Sequence, residues 1–159
     1  MADVFQDGNT RVYYVPTISN IQSPTTTELN AGTRLETTMT PDGLMGFEAD
    51  TTQIDNSSLV SKFTTSTVGR IAYSGTALRF KKQTAVDTIF NLLVYGLSGY
   101  VAIRRGVDAN TAWTAAQPCE VYPVTFGEAK RITPEPNALE KYEVPAPVTS
   151  TPATRAVVA

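Results

Sequence analysis

The chain has 159 residues, 42% of them hydrophobic and 18% charged, a length that suits a single domain able to bury its own core without a disulfide or metal staple. Thirteen basic and fifteen acidic side chains give a net charge of −2, with no run of Lys or Arg that could neutralise a series of phosphates, which argues against a conventional DNA-binding domain. With no His and one cysteine, Cys119, neither a Ser-His-Asp or Cys-His nucleophile set nor the usual zinc ligand sets can be built.

Cys119 lies in the strand-like run Cys119-Glu-Val-Tyr122 and is expected to be a small buried hydrophobe. The first residues, Met-Ala-Asp-Val-Phe-Gln-Asp, carry acids where a signal peptide would carry bases and an apolar stretch. The longest apolar stretch, Ile89 to Tyr95, is interrupted by Asn91 and falls far short of the roughly 20 residues that span a bilayer. No membrane association is expected. Abundant Thr and Ser beside Val and Tyr favour a mainly β fold, since a β-branched side chain suits the pleated surface while the Thr hydroxyl keeps its outer face wet.

Residues 1–10 are polar, lack periodicity and read as an arm. A strand follows over Arg11–Val15, closed by Pro16. Thr25 and Glu28 have capping-box spacing, with Pro24 before them and Gly32 as the stop, which predicts a helix of barely two turns. Thr33–Thr40 and Leu44–Asp50 are strand-like and are joined by Pro41-Asp42-Gly43, which predicts a hairpin. Its alternation places Leu35, Met39, Met45 and Phe47 on a dry face, with Arg34, Glu36, Thr38, Glu48 and Asp50 on a polar one.

Residues 51–67 are too polar for a core strand and too long for a turn, and read as a structureless functional loop. Val68–Tyr73 and Thr76–Lys82 are expected to form a second hairpin across Ser74-Gly75. Ala85–Tyr95 is the principal helix, with Thr84 as N-cap and an apolar face of Val86, Ile89, Phe90 and Leu93. A strand over Tyr100–Arg105, a loop bearing Trp113, a long strand over Cys119–Thr133 and a last strand over Leu139–Val144, with Tyr142 and Val144 inward, complete the domain. From Pro145 onward the chain reads as an extended, coreless tail. The expected division is therefore an arm over 1–10, a β domain over 11–145 and a second arm over 146–159.

Charge is segregated along the chain. Residues 1–60 hold eight acids and two bases, residues 61–105 one acid and seven bases, and residues 106–159 six acids and four bases. Such segments can pair within one fold or fix register between copies.

Nothing in the sequence points to catalysis. Gly96-Leu-Ser-Gly99 lacks the spacing and the base of a nucleophile turn and reads as a helix cap followed by a turn. Glu36, Glu48 and Asp50 lie on a polar face where solvated charge is the default, and Asp50, Asp55 and Asn56 do not match a calcium loop. Asn56-Ser-Ser58 matches a glycosylation acceptor, which has little force without a secretion signal. The basic doublets Lys81-Lys82 and Arg104-Arg105 are too few to hold nucleic acid at physiological salt and read as strand ends or ion-pairing surface.

Several segments in order carry a resemblance. They are Arg11-Val-Tyr-Tyr-Val-Pro16, Pro24-Thr-Thr-Thr-Glu-Leu-Asn-Ala-Gly-Thr33, Thr40-Pro-Asp-Gly-Leu44, Ile54-Asp-Asn-Ser-Ser-Leu-Val-Ser-Lys-Phe-Thr64 and Cys119-Glu-Val-Tyr-Pro-Val-Thr125, followed by the closing strand and a Pro-rich tail. Over roughly 11–145 the chain resembles the tail tube, or major tail, protein of long-tailed bacteriophages with non-contractile tails, in particular those of actinobacteria. No single motif is diagnostic; order, spacing and length carry the likeness.

The resemblance implies a β-sandwich or half-barrel with one helix, forming a continuous barrel in a hexameric ring. Such rings stack into a tube that conducts the genome without sequence-specific binding. It implies a virion protein assembled in the host cytoplasm, with no enzymatic activity and no cofactor. Its partners would be further copies of itself, a tape-measure protein in the lumen, and tail terminator and distal tail proteins.

On that reading Glu36, Thr38, Glu48 and Asp50 are candidates to line the lumen. Ile54, Asp55, Asn56, Leu59, Lys62 and Phe63 are candidates for an inter-ring loop. Arg79, Lys81, Lys82, Arg104 and Arg105 are candidate charges between subunits. Two alternatives stand beside it. One is another tail ring component of the same fold, such as a terminator or baseplate-linking protein. The other is a carbohydrate-binding or glycosidase β domain, for which the single Trp113 offers little of a sugar-sized aromatic cleft.

Overall fold

The computed structural model describes residues 1–159. In chain order its elements are β1 (Thr10–Val15), α1 (Thr26–Asn30), β2 (Thr33–Arg34), β3 (Met39–Met45), β4 (Asp50–Asp55), β5 (Ser66–Ala72), β6 (Ala77–Lys81), α2 (Thr88–Leu92), β7 (Ser98–Arg105), β8 (Pro118–Thr125), β9 (Lys130–Arg131), β10 (Lys141–Pro145) and β11 (Ala153–Val157). They form antiparallel sheets in the orders β11-β8-β7-β1-β2 and β3-β6-β10-β9, with β4 and β5 as a separate two-stranded ribbon. The chain is a mainly β protein, as its composition predicts.

The main core lies between the two large sheets. Val12, Tyr14, Val101, Ile103, Tyr122 and Val124 of the five-stranded sheet meet Leu78, Phe80, Tyr142 and Val144 of the four-stranded one. Tyr142 and Val144 point inward as alternation predicts, both fully buried, with Phe80 stacked on Tyr142. The other face of the five-stranded sheet is covered too. Tyr13, Val15, Ala102, Cys119 and Val121, with Ala153 and Ala156 of the edge strand β11, pack with Leu29 of α1, Trp113 and Val158. Burial on both faces explains why Val12-Tyr-Tyr-Val15 and Val101-Ala-Ile103 read as unbroken apolar runs. Cys119 sits in this second core, where burial pushes its thiol up to about 11.

The α1 prediction holds in detail. Thr25 accepts from the Glu28 N–H at 3.2 Å while the Glu28 carboxylate accepts from the Thr25 N–H at 3.0 Å. Backbone donors from Thr25 and Ser19 bring the Glu28 pKa down to about 2. The second helix is shorter than its sequence suggests. It starts at Asp87, whose carboxylate accepts from the N–H groups of Phe90 and Gln83, so Asp87 rather than Thr84 is the N-cap. Ile89 and Leu93 are buried, Phe90 packs edge-on against Tyr142, and Val86 stays exposed.

Four expectations are corrected. The hairpin over 33–50 does not form, because β2 pairs with β1 while β3 pairs with β6 in the opposite sheet. The turn at Glu36–Thr38 is a sandwich corner, and Pro41-Asp42-Gly43 is a bulge inside β3. A Cβ on Gly43 would lie 2.5 Å from the Arg79 carbonyl oxygen, so only glycine fits there. The hairpin over 68–82 also fails, since β5 pairs with β4.

The long strand over Cys119–Thr133 breaks after Thr125. Phe126 is buried and the Gly127 N–H donates to the Pro145 carbonyl, turning the chain into the second sheet as β9. Finally, the tail is not coreless. β11 pairs with β8 through Ala153–Val121 and Ala156–Cys119, and Val148 bridges to Val124. It extends the five-stranded sheet at its edge, with Ala153 and Ala156 buried in the second core, and these small side chains are why Ala, Pro and Thr concealed a strand. No helix is long and apolar enough to cross a membrane.

Candidate assembly interface

The segment expected as a structureless loop is a projecting ribbon. Strands β3 and β6 pair at Met45–Ala77, and β4 and β5 pair at Asp50–Ala72, five residues further on along both strands. The two ladders are therefore halves of one long hairpin, interrupted where Gly46 and Gly75 meet back to back. Both glycines have positive φ (75° and 67°), and a Cβ on Gly46 would lie 2.6 Å from the Gly75 backbone. Beyond this crossing a bulge sets Gly69 and Arg70 opposite Thr52.

The outer half has no second layer. Nearly every residue of β4 and β5 is exposed, including Ile54, Val68 and Ile71. Register puts Val68 and Ile71 on the face of Gln53 and Thr51, and Ile54 on the opposite face, so both faces carry uncovered apolar side chains. At the tip Leu59, Val60 and Phe63 are 80% to 104% exposed. Asp55 accepts from the Ser57 N–H, Asn56 donates its N–H to the Thr65 carbonyl, and Ser58 and Ser61 bond each other, so the tip is shaped by short polar contacts alone. Beyond Asp55, Lys62 is the one charge of the turn 56–65.

The four lumen candidates stand in different settings, although Glu36 and Glu48 line one groove. Glu36 is mostly buried at the sandwich corner, accepting from the Val12 N–H at 3.2 Å and from Arg34, and Thr38 has a buried hydroxyl. Glu48 and Asp50 are exposed, Glu48 beside a groove walled by the N-terminal arm, β2 and β3.

Among the candidate inter-subunit charges, Arg79 pairs with Asp42 at 3.1 Å, Lys82 with Asp87 at 3.6 Å and Arg105 with Glu120 at 3.1 Å. Lys81 stands opposite Lys141. Burial favours the neutral Asp87 carboxyl, but the N–H groups of Gln83 and Phe90 and the Lys82 ammonium outweigh it and hold its pKa below the ordinary range.

Arg104 is corrected outright. It is fully buried and donates to the carbonyls of Asp108, Thr111 and Ala112 and to the Gln117 side chain, at 2.8 to 3.1 Å. It belongs to a clamp the sequence reading missed. Arg11 donates to the Thr111 carbonyl, Arg34 to the Ala109 carbonyl, and Trp113 lies under both Arg11 and Arg104 at 5.4 and 5.1 Å. Three arginines from three strands thus fix the 106–117 loop by its backbone. Alternation carried a signal for this: Arg104 continues the Ala102 face of β7, which is buried, so its charge had to be satisfied inside.

The family model described as phage tail tube protein matches residues 1–159, the whole chain. No curated protein matches it.

Proposed function

From the premise that this chain belongs to the phage tail tube protein family, and so is a structural protein of the bacteriophage virion tail, we propose that its copies close into sixfold rings that stack into a hollow, DNA-conducting tube. Membership of the family already implies assembly with itself and with other tail proteins. The observation that carries the finer reading is the ribbon: an ordered hairpin extension whose apolar side chains find no cover in their own chain. Covering its six large apolar side chains against neighbours is worth on the order of 10 kcal/mol gross, before the cost of association. A lone two-stranded ribbon is marginal in water, so contact with neighbours would stabilise it as well.

The electrostatics support conduction without capture. Six of the thirteen basic side chains are paired with carboxylates inside the chain and Arg11 and Arg104 are buried, which leaves five, Lys62, Arg70, Lys81, Lys141 and Arg155, free to meet phosphates through counterion release. Within such a tube a tape-measure protein would occupy the lumen, and terminator and distal tail proteins would meet its ends. Non-contractile tail architecture belongs to the same proposal.

Negative-stain electron microscopy across a concentration series tests it. Hollow tubes or sixfold rings are the expected result. A protein that stays monomeric at every concentration, and does not add to growing tails when these are supplied, overturns it.

A further inference from the structure

We infer that the ribbon tip of one copy seats in the groove between the N-terminal arm, β2 and β3 of a second copy, an inference that rests on the tube reading above. The two surfaces match in chemistry. The tip offers Leu59, Val60 and Phe63, all exposed, with Lys62 as the single charge of residues 56–65 and the Asp55 carboxylate at the end of β4 behind them, bonded to the Ser57 N–H. The groove has a floor of half-buried Met39 and Leu44 over Phe47, and four carboxylates, Asp7, Glu36, Asp42 and Glu48, along its walls. Glu36 and Asp42 are already paired with Arg34 and Arg79, and the groove's Arg105 is paired with Glu120. Asp7 and Glu48 have no ion-pair partner. The groove therefore keeps two free negative charges beside an apolar floor, the complement of an apolar tip with one cation.

Geometry makes the occupant a second copy. The ribbon starts at Asp50, two residues beyond the groove residue Glu48, and runs out through Asp55. At about 3.4 Å per residue this carries the tip roughly 17 Å from the ribbon's base before the turn begins, so a chain cannot fill its own groove without folding its ribbon back. Tip and groove are different patches of the same molecule. Their docking is heterologous: each copy offers a tip and receives one, and repetition yields closed rings or open stacks instead of a two-fold dimer.

Cysteine trapping in the full chain tests this directly. Cys119 is buried, so introduced thiols report alone. Phe63→Cys combined with Leu44→Cys, oxidised after assembly, is expected to give a ladder of dimers, trimers and higher multiples on a non-reducing gel, with no ladder from either single variant. Tubes that form from the double variant without a ladder overturn the groove assignment and leave the tube reading standing. Wild-type protein that never assembles removes both.

A charge swap covers the case in which the cysteine pair blocks assembly. Lys62→Glu is expected to raise the critical concentration for assembly about tenfold, and adding Glu48→Lys to return it to within about threefold of wild type. Absence of rescue by Glu48→Lys overturns the pairing.

Discussion

The two halves of the long hairpin share one register and differ in everything else. In the inner half Leu78 and Phe80 are fully buried against a facing sheet, while in the outer half Ile54, Val68 and Ile71 are exposed although their backbones pair just as regularly. Ladder hydrogen bonds shape a strand, but a second layer is what buries it. The Gly46–Gly75 crossing marks where the second layer ends. The sandwich thus buries its own core, and the ribbon is a surface without a second layer, which on the proposal above another copy supplies.

The comparison breaks first if the ribbon proves dispensable for assembly. Replacing residues 52–66 by a short Gly-Ser link is expected to abolish tube formation while leaving a folded β domain with a melting temperature within a few degrees of wild type; tubes seen in the microscope from this variant would refute the assignment. On the sandwich side, Arg104→Ala removes the donor shared by three loop carbonyls and is expected to cost ~3 kcal/mol or more in urea unfolding. A loss under about 1 kcal/mol would mean that Arg11 and Arg34 hold the loop without it.

Gly46→Ala places a Cβ against the Gly75 backbone at positive φ, and a loss of about 2 kcal/mol is expected, measured by thermal unfolding. Asp87→Ala removes the α2 cap and is expected to cost ~1 kcal/mol. This contribution depends on pH. The native carboxylate titrates below its ordinary 3.8, so its stabilisation is complete above that value and is lost as pH falls through the lowered native pKa. Urea midpoints of wild type and variant are therefore expected to converge in acid. Smallest of all, Ile71→Thr on the uncovered ribbon is expected to leave monomer stability within about 0.5 kcal/mol, while raising the protein concentration needed for tubes.

Legibility in the sequence followed how local each signal was. The capping box of α1 depends on residues three apart, and the inward set of β10 on strict alternation, and both were readable. Strand partners were not. Pro41-Asp42-Gly43 has turn chemistry yet serves as a bulge, because the residues on both its sides pair with β6, while the chain changes sheet earlier, between β2 and β3, a long-range choice that no short window contains. The ribbon was hidden by its Thr and Ser content, and β11 by its small residues, which a sheet face already crowded by Tyr13 and Trp113 accepts. Among site residues, Leu59, Lys62 and Phe63 stand on the exposed tip, whereas Arg104 is buried and Glu36 mostly so, although charge alone suggested exposure.

Hydrogen exchange on residues 50–72, compared between dissociated subunits and assembled tubes, tests the central claim most directly. The account predicts fast exchange of the ribbon amides in the free subunit, against strong protection of β7 and β8, and a large gain in ribbon protection on assembly. Equal ribbon protection in the two states would contradict it.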